Sequence, residues 1–182
     1  MKNIILLVSY LILAITLGCN KSTDKKVTTT KPTFVKGQYY QGGVIFYVDG
    51  TGKHGLIASG ITSIQQSSWG CYGALIPNAN GVSVGTGQAN TTSICKACSE
   101  WGVARQCNEW AAGGYNDWFL PSIDELKLMY ELRVEIGDFN DGDYWSSTQK
   151  DSNNAMVLSF FKGEKFSIEK RSGANLMSIR AF

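Results

Sequence analysis

Period-two alternation of apolar side chains is concentrated at the two ends of this chain, and helical spacing is confined to its middle. In GGVIFYVDG, Val44, Phe46 and Val48 alternate with Ile45 and Tyr47 between glycines. This is the pattern of a strand ending in a turn at Asp49 to Gly52, and HGLIAS, 54–59, predicts its hairpin partner. Towards the other end, YWSS reads as a short strand, AMVLSFF and KFSIEK as two strands joined through Lys162 and Gly163, and LMSIRAF as one closing strand. Strands at both ends with helices between them predict an α+β domain, not the alternating units of a parallel sheet. Residues 43–48 are expected in the same sheet as 176–182.

Two helical stretches fill the middle. NTTSICKACSEWGVARQCNEWAA offers Asn90 or Thr91 as a cap and sets Ile94, Ala97, Cys98 and Trp101 at helical spacing, with a break at Gly102. In WFLPSIDELKLMYELR, Pro121, Ser122 and Glu125 form a capping-box start, and Ile123, Leu126, Met129 and Tyr130 make an apolar face. From Gly60 to Gln88 there is no sustained period, which predicts a packed irregular segment.

The first residues carry an address. Met1 to Asn3, an apolar run from Ile4 to Leu17, and Gly18–Cys19 follow the order of a secretory signal. Its apolar run is shorter than the roughly 20 residues of a spanning helix. TLGC resembles a lipobox, which makes residues 1–18 a signal peptide and Cys19 the lipidated first residue of the mature chain. Residues 20–36, rich in Lys, Thr and Ser, read with Cys19 as a flexible tether (19–36) ahead of one domain, 37–182. The expected location is the bacterial cell envelope, lipid-anchored at the outer membrane. An exported chain with four remaining cysteines, Cys71, Cys95, Cys98 and Cys107, favours two disulfides, with three connectivities open. On one unbroken helix Cys98 and Cys107 would stand roughly 13.5 Å apart, so pairing them requires a break.

The net charge of +2 arises in the leader and tether; residues 37–182 hold 11 basic and 14 acidic side chains. Within them, 100–143 carry ten acidic and three basic groups, and 150–182 six basic and three acidic. Such a dipolar domain is not a generic polyanion binder, and no nucleic-acid partner is expected.

GYNDWFLPSIDEL from Gly114, then YWSS and a terminal SIRAF, together with YYQGGVIFYVDGTGKHGLIAS and GTGQANT, resemble the Lcl C-terminal domain family of bacterial collagen-like adhesins and lipoproteins. The resemblance covers about 37–182. It implies a C-type-lectin-like fold in which N- and C-terminal strands share a sheet flanked by two helices and a long irregular loop region. It also implies adhesion-like binding of sulfated glycans or surface proteins. It suggests a Cys98–Cys107 disulfide, which leaves Cys71 with Cys95. EPN and QPD tripeptides, with which calcium-dependent lectins hold sugars, do not occur in the sequence.

Several residues remain as chemistry. Trp69, Tyr72 and Tyr115 lie in Gly- and Ser-rich loops where an aromatic face can stack on a sugar ring. Lys162, Lys165, Lys170 and Arg171 cluster around one predicted hairpin and offer a meeting point for an anionic glycan, with Lys162 and Lys165 exposed. Asp117 and Trp118 are expected to serve structure, the first bonding turn amides and the second filling the core. Trp145 is likewise expected in the core, and the lone His54 is read as structural. DFNDGD, 138–143, carries hard oxygen ligands but departs from the EF-hand pattern at Gly142 and Gln149, and reads as a solvated acidic turn. Neither a metal nor a cofactor is expected. Cys95 and Cys98 form a CxxC, so a thiol-disulfide enzyme stands as an alternative, beside a structural subunit of an envelope assembly, to a non-catalytic binding module.

Overall fold

The computed structural model describes residues 34–60, 63–137 and 139–182. The leader, Cys19 and most of the tether lie outside the described residues, as does Asp138. At Phe34 the chain is already packed, its ring 5.0 Å from that of Tyr40 and 4.7 Å from that of Phe182. The folded body thus reaches into the stretch read as tether.

Among the described residues, two sheets and four helices make a mixed α+β architecture. The first sheet runs β1 (Tyr39–Tyr40), β2 (Gly43–Val48), β3 (Gly55–Ser59) and β9 (Ile179–Ala181) in spatial order, all antiparallel. The expected sharing of one sheet by residues 43–48 and the C-terminal strand is found, with β3 between them. The β2–β3 turn is held by Asp49, whose Oδ1 accepts from the amide of Thr51 at 3.1 Å.

The second sheet has the order β4 (Ser63–Ser67), β8 (Ala174–Leu176), β5 (Asp143–Gln149), β6 (Asn154–Ser159) and β7 (Lys165–Glu169). Only β5 and β8 are parallel. Two expectations change here. LMSIRAF is not one strand: residues to Leu176 belong to the second sheet and those from Ile179 to the first. The chain crosses at Met177–Ser178, where Ser178 O accepts from Ser59 N at 2.9 Å. Likewise 63–67, read as irregular because its side chains are mostly polar, is a strand, since β8 supplies its backbone partners.

Helix α1 (Gly87–Ala97) starts earlier than expected, at an N-cap Thr86 with no side-chain cap bond, so Asn90 and Thr91 lie inside it and are buried. Asn90 Oδ1 accepts from Gly81 N at 3.0 Å, and Thr91 Oγ1 from Leu120 N at 3.1 Å. The predicted break occurs, with α2 (Val103–Asn108) beginning after Gly102. A Cβ at Gly102 would sit 2.2 Å from Trp69 O, so glycine alone fits at this crossing. Trp101 is 62% exposed instead of joining an apolar face, because the helix has ended before it. Helix α3 (Ile123–Glu131) has the full capping box from Ser122 and Glu125, and α4 (Arg133–Ile136) follows at once.

Among the described residues, three apolar clusters fill the interior. One joins Trp69, Ile94, Cys98, Cys107 and Trp145; a second joins Phe46, Leu126, Met129, Tyr144 and Met177; a third centres on Ile45, Ile57 and Trp118. Trp145 and Tyr144, on opposite faces of β5, are both fully buried. The second sheet is therefore covered on both sides at β5, with α1 and α3 each packed against that strand.

Candidate binding site

Cysteine pairing shapes the largest loop. The disulfide joins Cys71 to Cys98, with Cα atoms 5.9 Å apart, and leaves Cys95 and Cys107 as thiols. Both expected pairs, Cys98–Cys107 and Cys71–Cys95, are thereby corrected. The helix break at Cys98–Gly102 turns Cys98 towards the loop at 70–71, where a Cβ on Gly70 would lie 3.5 Å from Cys98 Sγ. Cys107 faces the core at 0% exposure instead, and burial pushes its thiol up to about 12. Cys71, Cys98 and Glu100 stand close together, but the two sulfurs are bonded to each other and Glu100 Oε2 accepts from Cys71 N at 2.7 Å.

The loop after Trp69 is fastened from below by a buried ammonium. Lys170 Nζ donates to Ala74 O and to Gln149 Oε1, both at 2.7 Å, and lies 4.6 Å from the centre of the Trp69 ring. Gln149 in turn accepts from Ile76 N at 2.8 Å and donates to Ile76 O at 3.1 Å. Burial draws the Lys170 pKa down to about 8. Neither Lys170 nor Trp69 is a surface residue: both are fully buried, and Trp69 Nε1 donates to Ser146 O at 2.9 Å. Their expected ligand-binding role is corrected. Trp69 fills the core beneath the loop, and the long Lys170 stem folds inward to satisfy its carbonyls.

What this platform presents outward is Tyr72. The Arg171 guanidinium lies 4.6 Å from the Tyr72 ring centre, and Glu169 holds Arg171 through Nε to Oε2 at 2.8 Å. Tyr72 is 41% exposed, and the side chains of Arg171 and Glu169 are 64% and 46% exposed. The result is a preset aromatic–guanidinium–carboxylate group on a surface whose backbone is tied by a disulfide and a buried lysine. Leu75 and Trp101, close in sequence to the two bridged cysteines, are also exposed, at 68% and 62%. The exposed Tyr72 ring offers a face for stacking, and the Arg171–Glu169 pair offers donors and acceptors beside it.

The other expected site residues do not converge on it. Lys162 and Lys165 are exposed, as expected, but Lys165 pairs with Asp124 on α3. At ~3.3 Å per residue Lys165 and Glu169 stand roughly 13 Å apart along the strand, so the hairpin's basic residues form no single cluster. Tyr115 lies under the guanidinium of Arg180, 3.9 Å from its ring centre. Arg180 is buried and binds Asp117 through two bonds of 2.7 and 2.8 Å, with Gln41 Oε1 as a third partner. Asp117 therefore bonds a guanidinium, not the turn amides expected, and that bond holds its carboxyl below the usual range. Trp118 is in the core as expected, and His54 is exposed beside the β2–β3 turn. In the acidic loop, Asn140 Oδ1 is taken by Gly142 N at 2.9 Å and Asn175 Nδ2 at 3.0 Å.

Sequence reasoning missed Glu169 and Trp101. Glu169 was legible only as one of the few acids in a basic stretch, and Trp101 was masked by an apparent helical period that stops short of it. No family model matches this chain, and no curated protein matches it.

Proposed function

We propose that the protein is an envelope lipoprotein, anchored through Cys19, whose single C-type-lectin-like domain is a non-catalytic binding module for glycans or surface proteins. The observation that carries the binding reading is the exposed Tyr72–Arg171–Glu169 group on a loop fixed by the Cys71–Cys98 disulfide and by Lys170. A fixed aromatic face loses little entropy on stacking, and a charge pair already oriented by its own bonds presents sugar-hydroxyl partners without reorganisation. The finer fold assignment rests on the shared sheet of the chain's two ends and on the long loop region between β3 and α1. The thiol-disulfide alternative has less support, because Cys98 is bonded to Cys71 and burial raises the Cys95 thiol, the opposite of what a reactive thiolate requires.

The ligand expected at Tyr72 is a pyranose ring, neutral or weakly charged. Arg171 is already neutralised by Glu169, so attraction to a sulfated chain is not the leading force. A glycan array on the protein, followed by titration of any ligand found, tests this. Binding should fall at least about tenfold, the equivalent of one lost stacking contact, in a Tyr72→Ala, Arg171→Ala variant that melts like the wild type. It should change little with salt. Unaltered affinity in that variant would remove the site, while steep salt dependence lost on Lys162→Ala, Lys165→Ala would move it to the hairpin turn. Failure of every glycan, together with specific capture of one envelope protein that requires Tyr72, would favour the structural-subunit reading.

A further inference from the structure

Strand β7 ends the second sheet, with β6 on one side and no strand on the other among the described residues. Its free edge has a definite register. Ser159 N donates to Glu164 O and Lys170 N to Asn153 O, so the residues of even number along 164–170 direct their backbone groups at β6. Antiparallel bonding alternates, so the amides of Lys165, Ser167 and Glu169 and the carbonyls of Lys165 and Ser167 point outward, while Glu169 O already accepts from Ser172 N at 2.8 Å and keeps one lone pair for a second donor.

Lysine on an edge strand usually discourages pairing with another chain. Here its position does the reverse. In the segment Lys165-Phe166-Ser167-Ile168-Glu169, a two-fold axis through Ser167 sets Lys165 opposite Glu169, Phe166 opposite Ile168 and Ser167 opposite its own copy. The residues that would face each other in hydrogen-bonded pairs are the three with outward backbone groups, so charge pattern and backbone register select the same alignment. Phe166, 38% exposed, would gain apolar cover from Ile168 of the second chain. The central serine is small enough for the close approach of a two-fold axis, and Lys150, whose Nζ reaches Ser167 Oγ at 3.2 Å, is on an exposed stem that can swing clear. Glu169 can keep Arg171, and Lys165 can keep Asp124, while each takes a second partner, because a carboxylate has about four lone-pair sites and an ammonium three donors.

We propose that β7 is a dimerisation edge, on which a second copy of this chain adds its own β7 antiparallel about a two-fold axis at Ser167, making one continuous sheet. Such an isologous contact closes on itself and does not propagate into a fibre. It is also the geometry by which extended peptides join exposed sheet edges.

Sedimentation of the protein over a concentration series, combined with amide hydrogen exchange, tests the assignment. The wild type should dimerise, with the amides of Lys165, Ser167 and Glu169 gaining protection as concentration rises while the amide of Ile168, already bonded to β6, does not change. Lys165→Glu places Glu against Glu at both ends of the pairing, and Glu169→Lys places Lys against Lys; each alone should weaken dimerisation about tenfold or more. Mixing the two variants should restore it, because every cross-chain pair is again opposite in charge. The double variant Lys165→Glu, Glu169→Lys should restore it as well. A wild type that stays monomeric with freely exchanging odd-numbered amides would overturn the proposal. So would a dimer that ignores both single reversals, or reversals that are not rescued on mixing. The reversed variants retain the β6 pairing, and a circular-dichroism melt of each monomer separates loss of dimer from loss of fold.

Discussion

Two buried titratable side chains, Lys170 and Cys107, tie the stability of this protein to alkaline pH in opposite directions. Lys170 has a folded pKa of about 8, drawn down by burial, against ~10.4 in an unfolded chain. Between those values the unfolded chain binds more protons, so the contribution of Lys170 to stability rises as pH climbs from about 8 towards ~10.4. Cys107 works the other way. Its folded pKa is raised to about 12, so its contribution is whole below the unfolded value of ~8.5 and is lost as pH rises towards 12. Melting curves from pH 7 to 11 should therefore show a rising contribution that disappears in Lys170→Met and a falling one that disappears in Cys107→Ala. If neither variant changes the shape of the profile, both assignments fail. At neutral pH Lys170→Met should cost about 2 kcal/mol, because Ala74 O loses its buried donor and Gln149 Oε1 loses one of two. Thiol labelling gives a second residue-scale check. Half-buried Cys95 should react slowly in the native protein and Cys107 only after unfolding, while four labelled cysteines without reductant would contradict the Cys71–Cys98 bond.

Among the elements, α3 is the one whose stability is written most locally. Ser122 Oγ accepts from Glu125 N at 3.3 Å, and Glu125 Oε2 accepts from Ser122 N at 2.7 Å. The same box ties the loop before α1, because Glu125 Oε1 accepts from Gly85 N at 2.7 Å and Ser122 Oγ donates to Ser83 O at 3.0 Å. Ser122→Ala should then cost about 1 kcal/mol for the cap and somewhat more for the buried Ser83 carbonyl, measured by urea denaturation. A change near zero would mean that the cap adds nothing in this context. The α1–α2 junction is different in kind: its constraint is steric. At Gly102 even a methyl group meets Trp69 O, so Gly102→Ala should destabilise by more than the cap variant, although alanine is the better helix former. A stabilised Gly102→Ala would show that the junction has slack which the close approach denies.

At the scale of the whole molecule, the Cys71–Cys98 disulfide is the covalent staple of a body that otherwise depends on packing. It closes a loop with a sequence separation of 27, for which chain entropy gives about 3.5 kcal/mol. Reduction, or Cys71→Ser with Cys98→Ser, should lower the melting temperature accordingly and loosen the Tyr72 loop before the sheets unfold. Equal melting with and without reductant would show that Lys170 and Gln149 hold the loop unaided.

The sequence by itself determined what depends on neighbours in the chain. Alternation in 43–48 and 54–59 defined a hairpin, the Ser122 to Glu125 spacing defined a helix start, and alternating strands at both ends around central helices defined an α+β class. Each is local, because a pleat repeats every two residues and a helix turn every 3.6. Tertiary structure decided which polar groups go inside and which cysteines meet. Lys170 reads as a surface cation until the Trp69 ring and the Ala74 carbonyl, 96 residues away from it in the chain, give the ammonium a buried partner. Cys98 and Cys107 are near in sequence, but the break ending at Gly102 turns the first towards Cys71 and leaves the second facing the core. LMSIRAF alternates like one strand, and only the two sheets waiting for its halves split it at Ser178. Periodicity tells a chain which face is apolar; it carries no information about the distant atom that will satisfy a buried donor, and that atom is what separates a binding surface from a core.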